Sequence, residues 1–340
     1  MLTRPRHLFL LLVTSTVLAA LTLLPSCSSF EPGPYPKKRR LLMEMRATLH
    51  ALPPGIEQAT IWMPTPLSDA QQTRGPLELS ALGGEAQQRF DKLGNNIVSV
   101  TGTPTKSRPL EIYYRVELTR VERFAPKRLI SNGTLKLDSP WLVPARRAVI
   151  PGLARQVLER TARIPTIDGR VLAIYDDTLD LLTLSAPPVN RLASSRYSEG
   201  VLAWIMKEHV GDSIDIATYF ITHCQAARIP ASFELGYRLP ANEQLQAYEP
   251  RVLHAWARLD LPGLGWMPFD PAMAEEEPGK RKDCFGGLDS DRILISRGRD
   301  LTLNPPIEGE PLNFFGWPIA RAGKLDLSSN LKVQIQIQDL

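Results

Sequence analysis

Residues 210–237 read "VGDSIDIATYFITHCQAARIPASFELGY", and the fold turns on what this stretch encodes. Ile214, Ala217, Phe220 or Ile221, Cys224 and Ala227 recur at helical spacing, so one face of a helix beginning near Ser213 is apolar. Asp212 and Ser213 are both good N-caps, and Asp215 in the first turn suits the positive end of the helix dipole. Past the helix, "IPASFELGYRLP" has the composition of a strand. Ser213 therefore admits three readings: a nucleophile at a helix head, a cap, or the remnant of a nucleophile position.

Outward from this stretch the elements follow in order. Downstream, "LHAWARLDLPG" and "GWMPFDPA" are two strands joined through a Pro-Gly turn. His254 opens the first and Asp270 ends the second, and an antiparallel pairing sets them side by side. Upstream, "PGLARQVLERTA", "DGRVLAIYDDTLDLL" and "SEGVLAWIMKEHV" have helical periodicity. At the far end "LKVQIQIQ" alternates strictly and adds a closing strand.

The serine is not that of an α/β-hydrolase. Gly211-Asp212-Ser213-Ile214-Asp215 is close to the G-x-S-x-G elbow, but the elbow follows a strand, and "LAWIMKEHV" is helical. The hydrolase order is Ser, acid, His, whereas here His254 precedes Asp270. The other histidines offer no better base. His7 and His50 lie far upstream, His209 belongs to the preceding helix surface, and His223 is too far along the helix axis to reach its head.

Residues 41 to about 125 change period. In "LLMEMRATLH", Met43, Met45, Ala47 and Leu49 alternate with Glu44, Arg46, Thr48 and His50, the pattern of a half-buried strand. "ATIWMP", "NNIVSVTG" and "LEIYYRVELTRVERF" continue it, punctuated by "LPPG" and "KLGNN". This predicts a small antiparallel β-sandwich without a catalytic cluster. A chain of 340 residues holds both a sandwich and a second core. Its net charge of +4 gives no argument for nucleic acid. Neither a C-x-x-C nor a Cys/His metal spacing occurs, and no cofactor motif is present.

At this point the residues resemble the transglutaminase-like superfamily, relatives of the papain-like cysteine proteases, in its bacterial secreted branch. "GDSIDIATYF", "CQAARIPA", "LGY", "HAW" and "GWMPFD" stand in that family's order, preceded by "AIYDDTLDLL" and followed by "DSDRILISRGRDLTLNPP". The resemblance implies an α+β fold, with an N-terminal antiparallel β-sandwich ahead of a core of helices packed on an antiparallel sheet. It makes His254 the base and Asp270 the carboxylate that orients it. Trp256 becomes a packing aromatic, and Asp215 either a motif residue or only a dipole partner. Trp204 becomes a candidate oxyanion donor. Arg228 stands where the family has Gly before I-P-A, which is strained if its φ is positive.

The nucleophile position falls on Ser213, where the family has Cys. A helix head and an imidazolium can bring a thiol's pKa from about 8.5 to roughly 3.5–7.5, giving a resting thiolate. A hydroxyl is far too basic for that, and it needs general-base help and a strong oxyanion site. Losing a triad nucleophile costs on the order of 10⁶ in rate, about 8 kcal/mol. Cys224 lies eleven residues along the same helix, about 16 Å away, and cannot substitute. The sequence thus leaves two classes of function. One is a non-catalytic domain that binds an extended peptide, a protein or cell-wall material. The other is a Ser213–His254–Asp270 acyl-transfer hydrolase acting on amides or esters. A Cys224–Cys284 disulfide is open on sequence grounds.

The N-terminus is an address. "MLTRPRH" is basic, "LFLLLVTSTVLAALTLLP" is apolar, and Leu24-Pro25-Ser26-Cys27 resembles the bacterial lipobox, with Cys27 lipidated after cleavage. Pro25 is an unusual residue for that motif, and an ordinary signal or an uncleaved anchor are the alternatives. The expected organisation is a signal peptide over 1–26, a lipid-anchored tether over 27–40, the β-sandwich over 41–145 and the transglutaminase-like domain over 146–340. The expected location is the cell envelope, on the periplasmic face or surface. Ser28 beside the Cys directs the protein to the outer membrane where the cell has one. Labelling with a fatty-acid analogue is expected to mark the protein, and Cys27→Ser is expected to abolish the signal. Equal labelling of that variant, or an intact N-terminal Met, refutes the anchor.

Overall fold

The alternating segments of the first third pair as their periodicity requires. The structure, a computed structural model, describes residues 35–105, 107–185, 201–241 and 244–340. The expected signal peptide, Cys27 and tether residues 27–34 lie outside the described residues. In chain order the strands and helices are β1 (Lys38–Leu49), β2 (Ala59–Pro64), β3 (Gln72–Leu82), β4 (Ala86–Phe90), β5 (Asn96–Gly102) and β6 (Leu110–Val121). Next come α1 (Leu153–Thr161), α2 (Ile167–Leu181), β7 (Thr183–Leu184), α3 (Val201–Glu208) and β8 (Val210–Gly211). The last group is α4 (Ser213–Ala226), β9 (Ala231–Arg238), β10 (His254–Leu261), β11 (Gly265–Phe269), α5 (Pro271–Glu276), β12 (Arg292–Arg297), β13 (Ile319–Ala322), β14 (Leu325–Asp326) and β15 (Leu331–Asp339).

Two antiparallel sheets, ordered β15-β1-β6-β3 and β14-β13-β2-β5-β4, share one apolar interior. Met43, Met45 and Ala47 of β1 meet Ile61 and Met63 of β2 and Val98 and Val100 of β5 there. A third antiparallel sheet, β11-β10-β9-β12, carries the helices. The face of α4 packs on it, and every residue from Ser213 to Cys224 is buried. The result is an α+β fold with the expected helical core on an antiparallel sheet.

Several elements depart from the sequence reading. The sequence reading does not include β3 and β4: β4 is largely solvent-facing, while in β3 the alternation of Leu77, Leu79 and Ala81, which pack on the sandwich core, is interrupted at Gly75-Pro76. Helix α5 was not anticipated either. It forms because Asp270 caps it, accepting from the Met273 N–H at 3.0 Å, with Pro271 at its first position. The closing strand β15 exists, but it pairs with β1, not with the core sheet. Strand β13 likewise pairs with β2. The sheets therefore do not follow a division that keeps 146–340 together, since the end of the chain returns to the N-terminal sheets. Cys224 and Cys284 are both free and buried, so they form no disulfide.

The N-terminal sheets and the core are laced together within the compact unit 36–340. Gln72 places its carboxamide against the edge of β12, accepting from Leu294 N–H at 2.9 Å and donating to Leu294 O at 2.9 Å. That covers backbone groups an edge strand would otherwise leave unpaired. Arg258 of β10 reaches Asp69 at 3.0 Å, and Tyr237, Ile293 and Ile295 enter the sandwich interior.

Two close approaches explain motif glycines. A Cβ on Gly211 would come within 2.5 Å of Asp215 Cβ, and one on Gly236 within 1.7 Å of Ile293 O. Both positions need the bare backbone. Arg228, in contrast, has φ +63° in the turn that ends α4. A non-glycine residue there carries on the order of 1 kcal/mol of strain. Arg228→Gly is expected to raise the unfolding free energy by up to about 1 kcal/mol, read as a later urea midpoint at unchanged slope. A lower midpoint refutes the strain.

Candidate functional site

The head of α4 is built by local hydrogen bonding. Asp212 accepts from the amides of Ile214 at 2.9 Å and Asp215 at 3.2 Å, and Asp215 Oδ2 accepts from the Asp212 amide at 3.1 Å. This reciprocal box fixes the first turn with both carboxylates buried. Asp212 is thus the cap, and Ser213 is the first helical residue. Asp215 serves the box, which gives its position in the motif a structural reason. Freed from capping, the Ser213 hydroxyl points to β10, where Oγ accepts from the Ala255 N–H at 3.3 Å.

That contact brings Ser213 beside His254, the residue preceding Ala255. No hydrogen bond joins the Ser213 hydroxyl to the imidazole; its partner is backbone. His254 pairs across β10 with Gly236 of β9, and its Nε2 meets Asp270 Oδ2 at 2.7 Å. Strands β10 and β11 are antiparallel neighbours, as the sequence predicts, and Asp270 follows β11 directly. Asp270 is fully buried and His254 nearly so. Trp256, two residues along β10, is buried with its ring stacked toward His254 at a centroid separation of 6.2 Å and 24°. Trp204 is half-buried against the helical core.

Among the described residues the other histidines stay out of this cluster. His223 is buried with its ring against Tyr219 and Nδ1 on the Tyr219 carbonyl at 2.8 Å. Burial pushes its pKa down to about 4, so it is neutral. His209 is exposed, as expected. It sits just past α3 in the left-handed region at φ +56°, not on the helix.

One member of the cluster escaped the sequence reading. Arg292, at the start of β12, is 1% exposed and donates to the same Asp270 Oδ2 from NH1 at 2.7 Å. Its other edge grips Asp289, with Nε to Oδ1 at 3.1 Å and NH2 to Oδ2 at 2.8 Å. Its guanidinium carbon stands 5.1 Å from the Trp256 ring centroid. The signal was present in the run Asp289-Ser290-Asp291-Arg292 ahead of an apolar strand, but nothing local says which carboxylate an arginine will meet.

Burial raises the Asp270 carboxyl, but His254 and Arg292 outweigh it and hold the group well below the usual carboxylate range. Asp289 is likewise opposed by burial and drawn down, to about 2, by Arg292. Burial, then the Asp270 charge, pushes the Cys284 thiol up to about 12. Burial alone raises Cys224 well above its ordinary value. At neutral pH neither cysteine is a thiolate.

The depressed carboxyls set a pH dependence. Each contributes stability above its unfolded pKa, and that stability is lost as pH falls through the folded value. For Asp289 the window runs from 3.8 down to about 2. Asp289→Asn is expected to lower stability by about 2 kcal/mol at neutral pH. The deficit is expected to shrink toward pH 2 when unfolding is followed by circular dichroism. A deficit that does not change with pH refutes the coupling.

Comparison with known proteins agrees with the fold. Residues 154–271 match the family model of the transglutaminase-like superfamily. An uncharacterized protein of Haemophilus influenzae is 30% identical over 147 residues, 35% of this chain and 40% of that protein. The chain thus spans well under half the length of that relative. A structure described as a putative cysteine protease from Cytophaga hutchinsonii superposes with a TM-score of 0.55 at 17% identity, over 89% of this chain and 98% of the other. The periplasmic domain of TgpA from Pseudomonas aeruginosa aligns at 14% identity over 72% of this chain and 91% of that one. Its TM-score of 0.33 is too low to speak for the fold. The helix–sheet core shares the fold of the Cytophaga structure, and the transglutaminase-like superfamily match is confined to residues 154–271.

Proposed function

We propose that this protein is an envelope-anchored, lipid-tethered member of the transglutaminase-like group whose cleft binds a ligand without turning it over. The ligand class is an extended peptide, a protein segment or cell-wall material. The observation that carries this reading is the state of residue 213. The head of α4, where the family resemblance puts a thiolate, bears a hydroxyl bonded to the Ala255 amide and not to His254. Among the described residues no other thiol can stand in, since Cys224 and Cys284 are buried and protonated at neutral pH. The helix head and the His–Asp pair that such a site would use are retained.

A second reading keeps catalysis. The His254–Asp270 bond at 2.7 Å is what a serine nucleophile would need behind its base. The Cytophaga structure's description as a putative cysteine protease lends this reading the same reaction class, acyl transfer. Binding is preferred because base and hydroxyl are not hydrogen-bonded and the hydroxyl lacks the thiol's low proton affinity.

Ser213→Cys separates the two. In the binding reading the wild type does not react with a fluorophosphonate probe. The introduced thiol alkylates quickly with iodoacetamide near neutral pH, and His254→Ala slows it. Probe labelling of wild-type Ser213 that disappears in His254→Ala makes the protein a serine hydrolase. An ordinary alkylation rate, insensitive to His254, leaves the domain a scaffold without an organised cleft.

A further inference from the structure

The acceptor side of Asp270 is crowded in an instructive way. Oδ2 meets His254 Nε2 and accepts from Arg292 Nη1, both at 2.7 Å, while Oδ1 accepts from the Met273 amide. A buried carboxyl of this kind has two ways to bond an imidazole. As a carboxylate it only accepts, so the ring must carry its proton on Nε2, and Nδ1 is left as the acceptor. As a neutral acid it donates to Nε2, and the ring proton moves to Nδ1. Only the first arrangement leaves a nitrogen able to receive a proton from residue 213.

Burial by itself favours the second arrangement, because it opposes the charged form. The groups around Asp270 show what reverses it. From α2, Tyr175 is neutral, its hydroxyl pushed above its ordinary value by burial. From the segment after α5, Cys284 is a neutral thiol whose carbonyl accepts from the Asp270 amide at 3.0 Å. Asp289 lies on the far side of Arg292 and is an anion. Arg292 is the permanent cation that faces the carboxylate.

Arg292 is also held so that it can do nothing else. The Asp289 carboxylate engages Nε and NH2, leaving NH1 for Asp270, and Trp256 lies under the guanidinium. A planar fork can bridge two carboxylates in this way, whereas a lysine's single ammonium cannot reproduce both edges. We infer that Arg292 is a positioning residue for His254: by keeping Asp270 a carboxylate, it fixes the imidazole as the Nε2–H tautomer with Nδ1 as acceptor. Arg292 is buried and in this arrangement acts through Asp270.

This inference rests on reading Ser213, His254 and Asp270 as one site, and its test is independent of whether that site binds or catalyses. The full chain labelled with ¹⁵N-histidine is examined by NMR at neutral pH, with the His254 resonances assigned by their loss in His254→Gln. The wild type is expected to show His254 as the Nε2–H form. Arg292→Met is expected to shift it to the Nδ1–H form or to a mixture, and Arg292→Lys to recover it in part. Asp289→Asn, which loosens Arg292 without removing it, is expected to give a smaller shift in the same direction and supplies the readout if Arg292→Met does not fold. In the Ser213→Cys background, the alkylation rate is expected to fall about tenfold or more with Arg292→Met, a loss in line with a misplaced base. An unchanged His254 tautomer in folded Arg292→Met, or in Asp289→Asn where the first does not fold, overturns the inference. Probe labelling of wild-type Ser213 overturns the binding reading and leaves this inference standing.

Discussion

The Asp270 carboxylate is the point on which the site's architecture depends. Four elements meet there: β10 through His254, β12 through Arg292, α5 through the amide of Met273, and β11, from which Asp270 itself emerges. A fully buried anion is tolerable only where its lone pairs are filled and its charge is opposed, and each of these contacts does one or both. The same contacts fix where the His254 ring stands. The placement of the His254 ring and the anchoring of α5 and β12 are therefore supplied by one group.

The head of α4 is a second such junction, on a smaller scale. The Asp212–Asp215 box satisfies orphan amides of the first turn, so Ser213 has no capping duty and its hydroxyl turns to the Ala255 amide of β10. Gly211 permits the box because any side chain there would strike Asp215. An arrangement of this kind suits a nucleophile, whose side chain must project from the helix start without being used to hold the helix together. That the projecting atom is oxygen and not sulfur changes its proton affinity while leaving the geometry of the head intact.

The N-terminal sheets bear on the core more closely than a chain of separate modules would. Gln72 closes the exposed edge of β12, Arg258 of β10 is neutralised by Asp69, and β15 returns from the end of the chain to pair with β1. Strand β12 carries Arg292 at its start, so the strand that supports Asp270 is steadied by a residue from the opposite part of the protein.

By itself the sequence determined whatever is local. That Ser213, His254 and Asp270 share one site is what the family resemblance implies. The apolar period of 214–227 specifies a helix, and the alternation in 43–49 and 110–118 specifies strands. These follow because side-chain direction repeats with the backbone, so a few residues suffice to show which face is buried. Strand β4 stayed hidden because a solvent-facing strand carries no such contrast, and β3 because its alternation is interrupted at Gly75-Pro76. Only the tertiary structure decided that β15 pairs with β1, that Asp270 also caps α5, and that Arg292 comes to Asp270 rather than to solvent. Each of those pairings joins segments distant in sequence or depends on which carboxylate lies within reach after packing. Charge and hydrogen-bonding capacity are written in the residue, but the partner is chosen by the fold.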